Sequence, residues 1–168
     1  MNSSVTRRTK SFFNTATSNA KLFFFLTTCL EIGCTASLCR GGNTYGDVRT
    51  GPGNVISPQA CISAEDGPII IGQGNVIEAN VVIENRLSRH GYGRSGQTLV
   101  MGDANIFKEG TVSESLRVGN GNIVGPRAYV GRDVVLTRGI IVGPGCSLTE
   151  PGTIPPGTII DVSRCQRS

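Results

Sequence analysis

Few side chains in this 168-residue sequence are suited to acid–base, nucleophilic or metal chemistry at neutral pH. There is one histidine, His90. It lies in the stretch from Glu84 to Gln97, among Arg86, Arg89, Tyr92 and Arg94, with Gly91, Gly93 and Gly96 between them. A loop histidine can act as a general base, taking a proton from an acceptor hydroxyl or amine during acyl transfer. Its sequence neighbours supply no obvious carboxylate to orient it. The same residues also read as a cationic contact loop for an acidic partner, or as a solvated loop on a rigid scaffold. A three-histidine zinc site would have to be gathered from three chains around a common axis. The positions that would carry such ligands hold Glu84, Asn85, Lys108 and Glu109 instead. The cysteines, Cys29, Cys34, Cys39, Cys61, Cys146 and Cys165, match neither zinc-ligand spacing nor a dense disulfide framework, and read as thiols in a reducing compartment. No Ser-His-Asp set and no phosphate-binding glycine loop can be drawn. The sequence therefore assigns no catalytic, cofactor or metal residue. Arg86, Arg89, His90, Tyr92 and Arg94 are kept as a candidate partner-contact loop.

The chemistry must sit on a repeat. Thr50-Gly51-Pro52-Gly53-Asn54-Val55-Ile56 and Ile71-Gly72-Gln73-Gly74-Asn75-Val76-Ile77 share one form. Met101-Gly102-Asp103-Ala104-Asn105-Ile106-Phe107 and Val118-Gly119-Asn120-Gly121-Asn122-Ile123-Val124 repeat it. A finer period of six runs through Val118, Val124, Val130, Leu136, Val142, Leu148, Ile154 and Ile160. Four residues after each leading apolar position comes a small or β-branched residue: Asn122, Ala128, Val134, Ile140, Cys146, Gly152 and Thr158. This hexapeptide pattern predicts an all-β fold, a single-stranded left-handed parallel β-helix shaped as a triangular prism. The left-handed sense comes from known hexapeptide proteins, since the usual crossover rule points the other way. The glycine after the apolar residue, as at Gly119, Gly125, Gly131 and Gly143, is expected to allow a corner conformation that a Cβ would hinder. Asn54, Asn75, Asn105 and Asn122 fall at equivalent places in successive turns. They are expected to form a structural ladder of amides along the axis, as stacked asparagines do in cross-β assemblies.

Aligned on the asparagine phrase, the first two segments of each turn are always six residues long. The third runs 62–70, then 83–100, then 113–117, and returns to six at 130–135. Every insertion and deletion should therefore fall on one prism edge, with the 84–100 excursion the largest. The register extends back to Ile32, although 39–43 make a poor strand. No helical pattern follows Ile160, so the last coil is expected to lack a cap and to expose strand edges to a partner.

Residues 1–31 read as a basic, Ser/Thr-rich tail outside a 32–168 β-helix. They contain Arg7, Arg8, Lys10 and Lys21, no acid before Glu31, and the apolar run Leu22-Phe23-Phe24-Phe25-Leu26. A signal segment or an organellar presequence is weighed here against a disordered tail or a mispredicted gene start. The run is too short for an ordinary transmembrane helix, and no direct membrane insertion is expected. The net charge of +4 comes entirely from residues 1–30, because residues 31–168 carry 12 basic and 12 acidic residues. The repeat region thus has no global basic field for nucleic acid.

The stretch Glu65-Asp66-Gly67-Pro68-Ile69-Ile70-Ile71-Gly72-Gln73-Gly74-Asn75-Val76-Ile77-Glu78 resembles the early coils of the dynactin subunit 6 family. Val118 to Arg132 resembles its middle and Thr153-Ile154-Pro155-Pro156-Gly157-Thr158 its end, and Tyr45-Gly46-Asp47-Val48 is similar to an early step. The resemblance covers about residues 46–165. It implies a non-enzymatic, cytoplasmic and cytoskeleton-associated subunit that pairs with dynactin subunit 5. The implied setting is the pointed-end complex, with an actin-related protein, supporting dynein-driven transport and adaptor engagement. No cofactor is implied. The family ordinarily continues into a C-terminal helix and tail, and it has no counterpart of the first 30 residues. The alternative is a trimeric hexapeptide acyltransferase using His90 as general base.

Overall fold

The computed structural model describes residues 30–32, 37–38, 43–86 and 96–165. It is a parallel β-helix. One sheet stacks β2 (Ser37–Leu38), β4 (Val55–Ile56), β6 (Val76–Ile77), β9 (Ile106–Phe107), β12 (Ile123–Val124), β15 (Ile141–Val142) and β18 (Ile159–Ile160). This is face I. Face II carries the start of β3 (Asn43–Thr50) and of β5 (Cys61–Ile71), then β7 (Val82–Asn85), β10 (Val112–Ser113), β13 (Tyr129–Val130) and β16 (Ser147–Leu148). Face III carries β1 (Leu30–Ile32), the ends of β3 and β5, β8 (Leu99–Met101), β11 (Arg117–Val118), β14 (Val134–Leu136) and β17 (Gly152–Ile154). Faces II and III belong to one sheet because β3 and β5 run round their shared corner without a break. The pairings within each face are parallel.

The hexad determines what points inward. On face I the column is Ile56, Ile77, Phe107, Val124, Val142 and Ile160, all buried. Face III stacks Thr50, Ile71, Met101, Val118 and Leu136; face II stacks Ile62, Ile83, Ser113 and Val130. A thin column of interlocked aliphatics replaces a globular core, and each coil is stabilised by its neighbours. The four-residue-later slots point inward too, with Ala60, Val81, Thr111, Ala128 and Cys146 at one corner. Burial weakens at the C-terminal end, where Leu148 and Ile154 are half-buried and Gly152 is exposed. Two buried leading slots hold hydroxyls: Thr50 and Ser113 turn their Oγ atoms into the prism without a hydrogen-bond partner.

The glycines after the apolar positions act differently from the expectation. Gly119 does not adopt positive φ. Its N–H donates to the Leu136 carbonyl at 2.7 Å, and a Cβ there would run into the Thr137 carbonyl of the next coil. The constraint is close approach between coils. The left-handed conformation occurs two residues later, at Gly53, Gly74, Gly121, Gly139 and Gly157, with Ala104 (φ 54°) as the one non-glycine in that row.

The chain also does not run out unstructured after the last strand. A four-residue helix, α1 (Val162–Cys165), follows β18, and Cys165 packs against the core. The Asp161 carbonyl accepts the Cys165 N–H at 3.2 Å, closing the turn that the apolar periodicity alone did not reveal.

The candidate interaction surfaces

The coil lengths position the surfaces. Successive asparagine slots are 21, 30 and 17 residues apart, and the step from Asn122 to Ile140 is 18. Each departure from 18 lies between faces II and III. There β5 runs on through 63–68, β7 ends at Asn85 and β8 begins at Leu99, and only three residues separate β10 from β11. Strand pairing carries Glu84 and Asn85 in register with Ser63 and Ala64, so the largest excursion starts after them. The two corners flanking face I keep constant length.

Face I is consequently the flat one. From β4 to β18 its outward column is Val55, Val76, Ile106, Ile123, Ile141 and Ile159, β-branched at all six levels. Val55 is 44%, Ile141 40% and Ile159 61% exposed. β-Branching fits a pleated strand, but an unbroken aliphatic column facing water marks an interaction site. Beside it Lys108 Nζ meets Glu78 Oε1 at 2.9 Å. The Lys108 hydrogen bond holds the Glu78 carboxyl below its ordinary value, opposed by burial and assisted by the Glu109 N–H.

Face II is rimmed with acid. Burial first, then Glu84 and Glu65, pushes the Cys61 thiol up. Burial, then Glu114 and Glu84, does the same to the Tyr129 phenol. A thiol held protonated in this way is a poor nucleophile. On face III, Val100, Leu116, Arg117, Val135 and Thr137 line a shallow open depression beside the shortened corner.

Asn54, Asn75, Asn105 and Asn122 are fully buried in one row. Each of the first three Oδ1 atoms accepts both the backbone N–H and the Nδ2 of the next: Asn75 on Asn54 at 2.7 and 3.0 Å, Asn105 on Asn75 at 2.9 and 3.0 Å, Asn122 on Asn105 at 2.9 and 3.0 Å. The remaining amide hydrogens go to carbonyls, as from Asn105 to Gly119 at 2.8 Å. The row ends where Ile140 replaces asparagine and donates its N–H to Asn122 Oδ1 at 2.9 Å.

Of the candidate contact loop, Arg86 is exposed and sits 3.5 Å from Glu84. Arg89, His90, Tyr92 and Arg94 lie outside the described residues. The base of the excursion is held by a cluster that sequence reasoning missed. Arg132 Nη1 donates to Asn85 Oδ1 at 3.1 Å and to the Arg86 carbonyl at 3.0 Å, and Nη2 lies 3.4 Å from Asp66 Oδ2. Asn85 is itself buried and donates to the Gly67 and Gln97 carbonyls at 2.9 and 2.6 Å. Arg132 thus reaches across the shortened 113–117 corner and ties three coils together. The partners are 47 and 66 residues away in sequence, and the only available signal was the single-residue shortening beneath them. Among the described residues, no cluster of His, Cys, Asp and Glu could hold a metal ion. Nor is any helix among them long and apolar enough to cross a membrane.

No protein-family model matches the chain. Curated proteins do. It is 38% identical over 141 residues to dynactin subunit 6 of Xenopus tropicalis, covering 82% of this chain and 70% of that protein. Against dynactin subunit 6 of Nematostella vectensis it is 37% identical over 141 residues, 82% of this chain and 77% of the relative. The Danio rerio protein of the same name is 36% identical over 142 residues, with 82% and 73% covered. The chain belongs to the dynactin subunit 6 family. In this dynactin subunit 6 family member, face I alone lies between two corners of constant length and carries an outward β-branched aliphatic at each coil from β4 to β18.

Proposed function

We propose that the chain is a non-enzymatic structural subunit of the dynactin pointed-end complex, docking through face I beside another β-helix, dynactin subunit 5. The observation that carries this reading, beyond family membership, is the outward aliphatic column from Val55 to Ile159 between two corners of constant length. Six coils about 4.8 Å apart, with segments of roughly six residues at about 3.3 Å each, give a face of roughly 500 Å². Pairing with a similar face buries about 1,000 Å² in total, at the lower edge of a specific interface. Such a face binds firmly only as one contact of a multi-subunit assembly. We assign engagement of the actin-related protein and of adaptors to the stack ends and the irregular corner, including the candidate loop at 84–97.

The test is affinity isolation of the tagged chain from its own cells with mass spectrometry, beside a Val55→Glu/Ile141→Glu variant, both positions being exposed. The unaltered chain should recover dynactin subunit 5 and an actin-related protein. The variant should lose subunit 5 while melting within about 2 °C of the parent, because both positions lie on the surface. Retention of subunit 5 by the variant would remove face I from the interface. Recovery of the unaltered chain only as its own trimer would overturn the scaffold reading in favour of acyl transfer with His90 as base.

A further inference from the structure

The C-terminal end of the prism brings two thiols together. Cys146 occupies the inward slot of the last coil, 1% exposed, with its Sγ 3.9 Å from the Ile160 carbonyl oxygen. The coils here are 18 residues long, so the slot above Cys146 falls at position 164. No strand continues there. The turn of α1 instead carries the next residue, Cys165, onto the core over the last coil. Cys165 is half-buried and carries a free thiol, as does Cys146. Cys165 packs on the core cluster that holds Cys146 and Ile160, one residue past the slot above Cys146. Burial first, then the Cys165 thiol, pushes the Cys146 thiol up to about 11. Cys61, the other described cysteine, sits on face II among carboxylates.

We propose that Cys146 and Cys165 are a redox-modification site, closing to an intramolecular disulfide under peroxide and stapling α1 across the end of the stack. The half-buried Cys165 is the thiol that peroxide reaches. Its thiolate attacks one peroxide oxygen, the O–O bond breaks, and a sulfenic acid and hydroxide form, the hydroxide being protonated to water. The Cys146 thiol passes its proton to the sulfenic oxygen as its sulfur attacks the Cys165 sulfur, so the step needs no free Cys146 thiolate; the S–O bond breaks and a second water leaves. Two thiols are oxidised and one hydrogen peroxide is reduced to two waters. The product links the last inward slot to the only helix among the described residues. It fastens that helix to the end of the stack, where Leu148 and Ile154 are only half-buried and Ile160 is the most exposed of the buried aliphatics.

The sequence provides a direct assay. Trypsin cuts after Arg138, Arg164 and Arg167, so Cys146 leaves in peptide 139–164 and Cys165 in the tripeptide 165–167. After treatment with hydrogen peroxide, alkylation of free thiols and digestion without reductant, the tripeptide should remain attached to 139–164 and be released by dithiothreitol. Cys165→Ser and Cys146→Ser should each abolish the linked species, and Cys61→Ser should leave it intact. The oxidised chain should melt about 5–10 °C higher than the reduced one, as expected for closing a short loop in a domain of this size. The tripeptide recovered alkylated, or as sulfinic or sulfonic acid without the link, would overturn the proposal. So would a Cys165-dependent dimer on a non-reducing gel. Because Cys146→Ser fills a buried slot with a hydroxyl and risks misfolding, the Cys165→Ser result decides the matter.

Discussion

Replacing Asn105 with alanine tests the asparagine row most sharply. Asn105 is fully buried and is bonded on both sides. Its Nδ2 serves Asn75 Oδ1 and the Gly119 carbonyl, and its Oδ1 receives the N–H and Nδ2 of Asn122. In the alanine variant the Asn122 N–H loses its acceptor inside the prism, which costs about 1–3 kcal/mol. The Gly119 carbonyl and the Asn122 amide each lose one bond, for about 0.5–1.5 kcal/mol apiece. Asn75 Oδ1 still accepts the Asn105 backbone N–H at 2.9 Å, and Asn122 Nδ2 still reaches the Thr137 carbonyl at 3.2 Å, so neither is stranded. The total is about 2–6 kcal/mol, a large share of the roughly 5–15 kcal/mol that holds a domain of this kind together. At about 3 °C per kcal/mol the melting midpoint should fall by roughly 6–18 °C. The assay is thermal melting followed by circular dichroism, with chemical denaturation in parallel. Gln73→Ala, an exposed change at the same corner, is the control and should move the midpoint by no more than about 2 °C. A loss below about 1 kcal/mol for Asn105→Ala would refute the argument, because it would mean that water satisfies these groups.

Four further outcomes are expected. Ala104→Gly should stabilise the protein by about 0.5–1 kcal/mol in a denaturant titration, since φ is +54° there and glycine adopts it without strain. Ser113→Ala should stabilise by up to about 1 kcal/mol, removing a buried hydroxyl that has no partner; a clear loss would show that a water satisfies it. Arg132→Ala withdraws the guanidinium from Asn85 and Asp66 and should cost about 2–4 kcal/mol, read from the same titration and checked by a double-mutant cycle with Asp66→Asn. Lys108→Ala should raise the Glu78 carboxyl toward its ordinary value in an NMR titration. Glu78 is held low in the folded state, so its contribution exists above the unfolded pKa and is lost as pH falls through the lowered folded one; an unchanged titration would show that the 2.9 Å pair is not formed in solution.

The sequence alone determined the period, the inward columns and the edge on which irregularity gathers. Those follow from local rules: a six-residue segment puts its leading aliphatic inward, and residues added where chain length varies must leave the prism there. The four asparagines were legible for the same reason, since equivalent positions of equal-length segments must stack. The tertiary structure decided which residues meet when the coils differ in length. Arg132 finds Asn85 and Asp66 only because an intervening corner is short, and no local pattern encodes a contact across 66 residues. Gly119 needs to be glycine because of the carbonyl one coil away, a constraint absent from its own φ and ψ. Cys165 comes to rest beside Cys146 because the strand period breaks into a helical turn after Ile160, and a period cannot foretell where it stops. Face I became the flat face by the same logic: its outward aliphatics resemble ordinary strand residues until stacking lines them up between two corners that never vary.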